Sequence, residues 1–158
     1  MTAPVASAGM LIRRPVAEVF EAFVDPAVTA RFWFSEGSGR LAPDARVSWT
    51  WGMYGFTSPV AVTAFEPDRR IGVDWSEGDD RTHVEWRFEA RGPDQTFVTV
   101  DHSGFHGDAD GRVAAALDGM NGFTLVLAGA KIWLEHGIEP RFVVDRMPDA
   151  RVPGWDES

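Results

Sequence analysis

The chain has 158 residues, 44% of them hydrophobic and 25% charged, which suits one globular domain with a core of its own. A formal net charge of −9 with no basic stripe opposes nucleic acid, and no uninterrupted run reaches the roughly 18 apolar residues of a membrane span, so neither is an expected partner. Cysteine is absent, which removes disulfides, thiol catalysis and thiolate metal sites.

Residues Met1 to Ile12 lack the charged head, apolar block and cleavage site of a signal peptide. With no cysteine, the expectation is a cytoplasmic protein. Ser7 to Ile12 reads as an opening strand. Pro15 then suits the first turn of a helix, and Val16, Val19, Phe20 and Phe23 follow at the spacing of one helix face. Asp25-Pro26 ends that helix and caps a second short one, through about Phe32.

Between Arg40 and Ser103 the period falls to two. Val47, Trp49 and Trp51 alternate with Ser48 and Thr50; Val60, Val62 and Ala64 with Ala61, Thr63 and Phe65; Ile71, Val73 and Trp75 with Gly72 and Asp74; Val84, Trp86 and Phe88 with Glu85, Arg87 and Glu89; then Val98, Val100 and His102 with Thr99 and Asp101. Short turns between these five strands make them antiparallel neighbours. The helical period returns from about Arg112 to His136, with Asp108 or Asp110 as cap, an apolar stripe of Met120, Phe123, Leu127, Ala130 and Leu134, and Gly137 as terminator. Residues 138–158 carry three prolines and read as an irregular tail, with Phe142, Val143 and Val144 available to pack on the domain or on a second copy. The expected fold is α+β, a curved antiparallel sheet of about six to seven strands wrapped around one long helix, in a domain spanning 1–137. Such a sheet must cover its apolar face, and any gap left under the helix is a place for a ligand.

The chain resembles the superfamily of polyketide cyclases, birch-pollen-allergen-like proteins and START lipid-transfer domains. Within it, the nearest likeness is to single-domain homologues of the activator of heat-shock protein 90 ATPase. The likeness rests on Ile12-x-x-Pro15 through Asp25-Pro26, on Ala30-Arg31-Phe32-Trp33, on Val98 to Phe105, and on Gly122-Phe123 with Trp133-Leu134-Glu135-x-Gly137. Asp101 and Phe123 depart from the usual Thr and Trp. The resemblance implies a helix-grip fold, but members of this superfamily bind, carry, cyclise or hydrolyse, so it leaves the activity open. It also raises a chaperone-ATPase co-regulator role, although the separate N-terminal domain of the eukaryotic activators has no counterpart here.

Candidate ligand-binding residues follow from the strand faces. Trp49, Trp51, Trp75 and Trp86, with Phe88, either line a cavity or simply fill the core. Trp33 and Phe34 are candidates for its mouth, with Met53 and Tyr54 opposite. His102 shares the inward face, where it either moves protons as a general acid or base or is a structural histidine bonded locally. Asp101 faces the other way and cannot orient it. Asn121 and Thr124 on the long helix are candidate polar contacts. Gly119, Gly122 and Gly129 beside them imply either close approach of the sheet or room for a ligand. His102, His106 and Asp108 have metal-like spacing without a convincing third ligand, and no metal or cofactor is expected. The leading expectation is a pocket for an apolar or aromatic small molecule. The alternatives are a cyclase, aromatase or dehydratase using His102 and the co-regulator; a homodimer is compatible with each.

Overall fold

The computed structural model describes residues 2–155. β1 (Ala6–Ile12) leads through Pro15 into α1 (Val16–Val24), which buries Val19, Phe20 and Phe23. Asp25 caps α2 (Pro26–Thr29) by accepting the Ala27 N–H at 3.0 Å, with Pro26 in the first turn. The Thr29 hydroxyl donates to the Ala22 carbonyl at 2.6 Å and fixes the two helices to each other.

The sheet has seven antiparallel strands: β1, β2 (Glu36–Gly37), β3 (Arg46–Trp51), β4 (Phe56–Glu66), β5 (Arg70–Trp75), β6 (Thr82–Ala90) and β7 (Thr96–Ser103). Their order is β1-β7-β6-β5-β4-β3-β2. Each of β3 to β7 pairs with its sequence neighbour, and β1 closes one edge by pairing with β7. β4 shifts register between Val62 and Ala64, a bulge of the kind that bends a strand and lets a sheet curve. β2 is the one strand with no period to read, because it is two residues long.

α3 (Ala109–His136) packs across β1 and β7. It begins three residues before the expected Arg112, because the Asp108 carboxylate accepts the Gly111 N–H at 2.8 Å. Gly137 ends it in the left-handed region (φ 66°), its N–H donating to the Trp133 carbonyl. The buried face is Ala116, Phe123, Val126, Leu127 and Ala130. The expected stripe needs correcting at Met120, which is 43% exposed. Gly119 takes the sheet-facing position instead. α3 is also long and apolar enough, by length and composition, to cross a bilayer, although scattered polar residues interrupt its apolar run. In this fold it is the helix that covers the sheet.

The far end of α3 is pinned by charge. Lys131 donates to the Leu11 carbonyl at 2.8 Å and to Glu135 at 2.6 Å, and Glu135 accepts the Arg13 N–H at 2.9 Å. Beyond Gly137, α4 (Phe142–Arg146) and a single 3-10 turn at Pro148–Ala150 run back along the domain. Val144 is buried there, and the Val152 N–H donates to the Met53 carbonyl at 2.8 Å. Met1 and residues 156–158 of the expected tail lie outside the described residues.

Candidate functional site

Trp33 leaves the turn after α2 and inserts its ring into the concave face. Its centroid lies 4.9 Å from Trp49, 5.5 Å from Phe123 and 5.9 Å from each of Trp51, Trp75 and Trp86. That one ring divides the tryptophans into two sets. Trp33, Trp51 and Trp75 line a cavity of ≈ 450 Å³ between the sheet and α3, together with Phe56, Phe105, Phe123 and Val126. Trp49 and Trp86 are 2% and 1% exposed, outside the cavity wall. Phe88 packs edge-on against Phe20 at 5.1 Å in the α1 core, and does not line the cavity either. Phe34 stacks on Trp49 at 5.2 Å and, with Met53, lines a second hollow of ≈ 400 Å³ beneath residues 139–144.

His102 is placed inward by the β7 alternation, 7% exposed, and belongs to the cavity wall. Phe105 stands 4.6 Å from its ring, Trp75 5.5 Å and Phe123 5.5 Å. Its Nε2 is 2.9 Å from the Thr82 hydroxyl, while Nδ1 is buried without a hydrogen-bond partner. Burial in these rings lowers its pKa to about 4, against a weak opposing pull from Asp118, so the imidazole is neutral at pH 7.

Tyr54 reaches the opposite rim, where its hydroxyl donates to the Val143 carbonyl at 2.5 Å. Asn121 and Thr124, expected to face the ligand, are exposed; the Thr124 hydroxyl instead donates back to the Met120 carbonyl at 2.7 Å. Both lie on the helix face turned from the sheet, which follows once Gly119 and Phe123 set the inward direction. The helix glycines meet side chains at close range. A Cβ on Gly129 would stand 3.2 Å from Phe32 and from Pro140, and one on Gly122 would stand 3.2 Å from the Arg146 guanidinium.

Several wall residues are not singled out by the sequence pattern. Thr82 continues the inward alternation of Val84 and Trp86 by one more step, a readable signal. Val143, Arg146 and Met147 come from the segment after Gly137, which has no period to place it. Arg146 donates to Asp118 on α3 at 2.6 Å and closes this side of the cavity. His106 Nε2–H donates to the Arg81 carbonyl at 2.6 Å, and Asp108 is occupied as a cap, so the three metal-like residues are directed to different tasks. Among the described residues, no cluster of three His, Asp or Glu side chains is arranged to hold a metal ion.

A curved antiparallel sheet gripping one long helix above an aromatic-walled cavity defines the helix-grip class. Residues 13–127 match the family described as Activator of Hsp90 ATPase homolog 1-like protein, and the chain belongs to that family. It is similar to the crystal structure of protein SSP2350 from Staphylococcus saprophyticus, at 27% identity and TM-score 0.75, over 87% of this chain and 96% of that one. The Aha1 dimer of Colwellia psychrerythraea shares the fold at 17% identity and TM-score 0.70, over 85% of this chain and 98% of that one. So does the di-domain ARO/CYC BexL from the BE-7585A biosynthetic pathway, at 15% identity and TM-score 0.74, over 88% of this chain and 48% of that one. No curated protein matches the sequence.

Proposed function

We propose that this protein binds an apolar, ring-bearing small molecule in the cavity between the sheet and α3. The observation that carries this reading is the wall itself: a space of ≈ 450 Å³ faced by Trp33, Trp51, Trp75, Phe105 and Phe123. That volume lies in the ordinary range for small-molecule sites, about 300–1,000 Å³. Flat rings on opposing sides suit an aromatic ligand through stacked and edge-on contacts.

A cyclase, aromatase or dehydratase is the alternative that the likeness to BexL suggests. Neither His102 nitrogen supports it as a general acid or base. Nε2 is engaged with Thr82, Nδ1 is shut against Gly119, and the ring's low pKa makes it a weak base. For the chaperone co-regulator, the family's name is the sole support.

Titration with fatty acids, sterols and polycyclic phenols, followed by tryptophan fluorescence, tests the binding reading. A saturable response to a ring-bearing class, the sterols or the phenols, is expected, weakened by Trp75→Leu in the wall and retained in Trp86→Phe outside it. A flat response across the panel would overturn it.

A further inference from the structure

We propose that the Thr82 hydroxyl is the polar contact that selects the ligand, donating to a carbonyl or other acceptor oxygen, and that His102 is the residue that holds it in the donor role. This rests on reading the cavity as a binding site, and adds to it the ligand chemistry.

The tautomer of His102 decides the roles. A neutral imidazole carries one proton, on Nδ1 or on Nε2. Nδ1 is sealed against α3, so close that a Cβ on Gly119 would stand 2.9 Å from it, and no acceptor lies within hydrogen-bond distance. A proton there would be a buried donor with nothing to receive it, and orphaned N–H groups are rarer than under-used acceptors. The proton therefore sits on Nε2, 2.9 Å from Thr82 Oγ1, and donates to it.

The hydroxyl consequently accepts from His102, which leaves its own O–H to give. Among the described residues, Thr82 Oγ1 makes no other side-chain hydrogen bond. Thr82 lies on the cavity wall beside Trp75, its partner across β5 and β6. Of the other polar groups on the wall, Tyr54 donates its hydroxyl to Val143 and Arg146 pairs through Nη2 with Asp118. An aromatic ligand with an acceptor oxygen at this point satisfies the free O–H. A ligand with a methylene there leaves it unpaired in an apolar wall, which costs binding energy.

The matched probes 2-acetylnaphthalene and 2-ethylnaphthalene differ at one oxygen, and their dissociation constants are measured by amide NMR titration. The preference for the ketone over the ethyl compound is expected to fall about tenfold in Thr82→Val, the size of one neutral hydrogen bond, and to return in Thr82→Ser. In the unmodified protein, long-range proton–nitrogen correlation should find His102 protonated on Nε2, a readout independent of any variant's folding. Binding of both probes with the same preference in Thr82→Val, or a proton on Nδ1, overturns this inference and leaves the cavity reading standing. Failure of both probes to bind the unmodified protein overturns this inference, and the cavity reading falls with it only where the titration panel is flat as well.

Discussion

His102 and Gly119 are a matched pair: the imidazole of β7 rises to α3 at a position where the helix carries no side chain. The hypothetical Cβ at 2.9 Å from Nδ1 is closer than side-chain carbons are found to stand. Gly119→Ala should gain up to about 1 kcal/mol of helix propensity. Against this, His102 is packed on Phe105, Trp75 and Phe123 and bonded to Thr82, so any retreat towards the cavity breaks those contacts. Overpacking of this kind costs typically about 1–3 kcal/mol, so net destabilisation by urea unfolding is expected, with disruption of the His102–Thr82 hydrogen bond. A more stable Gly119→Ala variant would show that the ring is free to move.

The same histidine makes stability depend on pH. Its pKa is about 4 in the fold, from burial chiefly, with Asp118 opposing and His83 adding a little, against an ordinary 6.5 when unfolded. Between those values the unfolded chain binds more protons, so stability rises with pH. The contribution is complete above pH 6.5 and is lost as pH falls towards 4. It amounts to about 3 kcal/mol, since each tenfold change in proton affinity is worth about 1.4 kcal/mol. Glu85 and Glu135 are held below the usual carboxylate range, burial resisting in both while Arg70 and Arg87, or the Arg13 N–H and Lys131, prevail. Their contributions are present above the ordinary carboxylate value and vanish at lower pH, leaving the upper window to His102. Unfolding free energies across pH 4–7 should slope in the unmodified protein and flatten in His102→Gln. A flat profile in the former would mean the site opens to water.

Trp33 sits where the two sets of tryptophans meet, so its removal should damage fold and site together. Trp33→Ala is expected to cost about 3–5 kcal/mol, as large buried aromatics do. Trp75→Leu removes a half-buried wall residue and should weaken ligand binding for a smaller loss of stability. Comparing unfolding and titration curves for the two variants separates the roles. Equal losses of stability would place Trp75 in the core proper.

These positions differ in how readable they are from the sequence. The strands announce themselves because each has one buried face, and a period of two fixes which residues share it. His102 is legible for that reason, and Thr82 is within reach by extending the same alternation. Which tryptophans line the cavity is not legible, since Trp49 and Trp51 share a strand face and are separated only by where Trp33 falls. The directions of Asn121 and Thr124 are also hidden. A helix with glycines at 119, 122 and 129 and apolar residues such as Leu117 and Met120 on its outer side gives no clear amphipathic phase.

The segment after Gly137 contributes Val143, Arg146 and Met147 to the wall and is tied to the rest of the domain in part by polar links. The Tyr54 hydroxyl donates to the Val143 carbonyl, Arg146 bonds Asp118, and the Val152 N–H donates to Met53. Val144 is buried there and Val143 and Trp155 pack partly against the core, while Phe142 and Met147 remain 36% and 45% exposed. Surface segments outside the sheet and its covering helix open locally at lower cost than the core strands, without unfolding the domain. Tyr54→Phe deletes one link while keeping the ring in the cavity rim. Amide hydrogen exchange across residues 141–147 should accelerate roughly five- to tenfold, the worth of about 1 kcal/mol, while exchange in β6 and β7 is unchanged. Equal acceleration in the strands would instead make this segment part of the cooperative core, and its opening would then require unfolding of the whole grip.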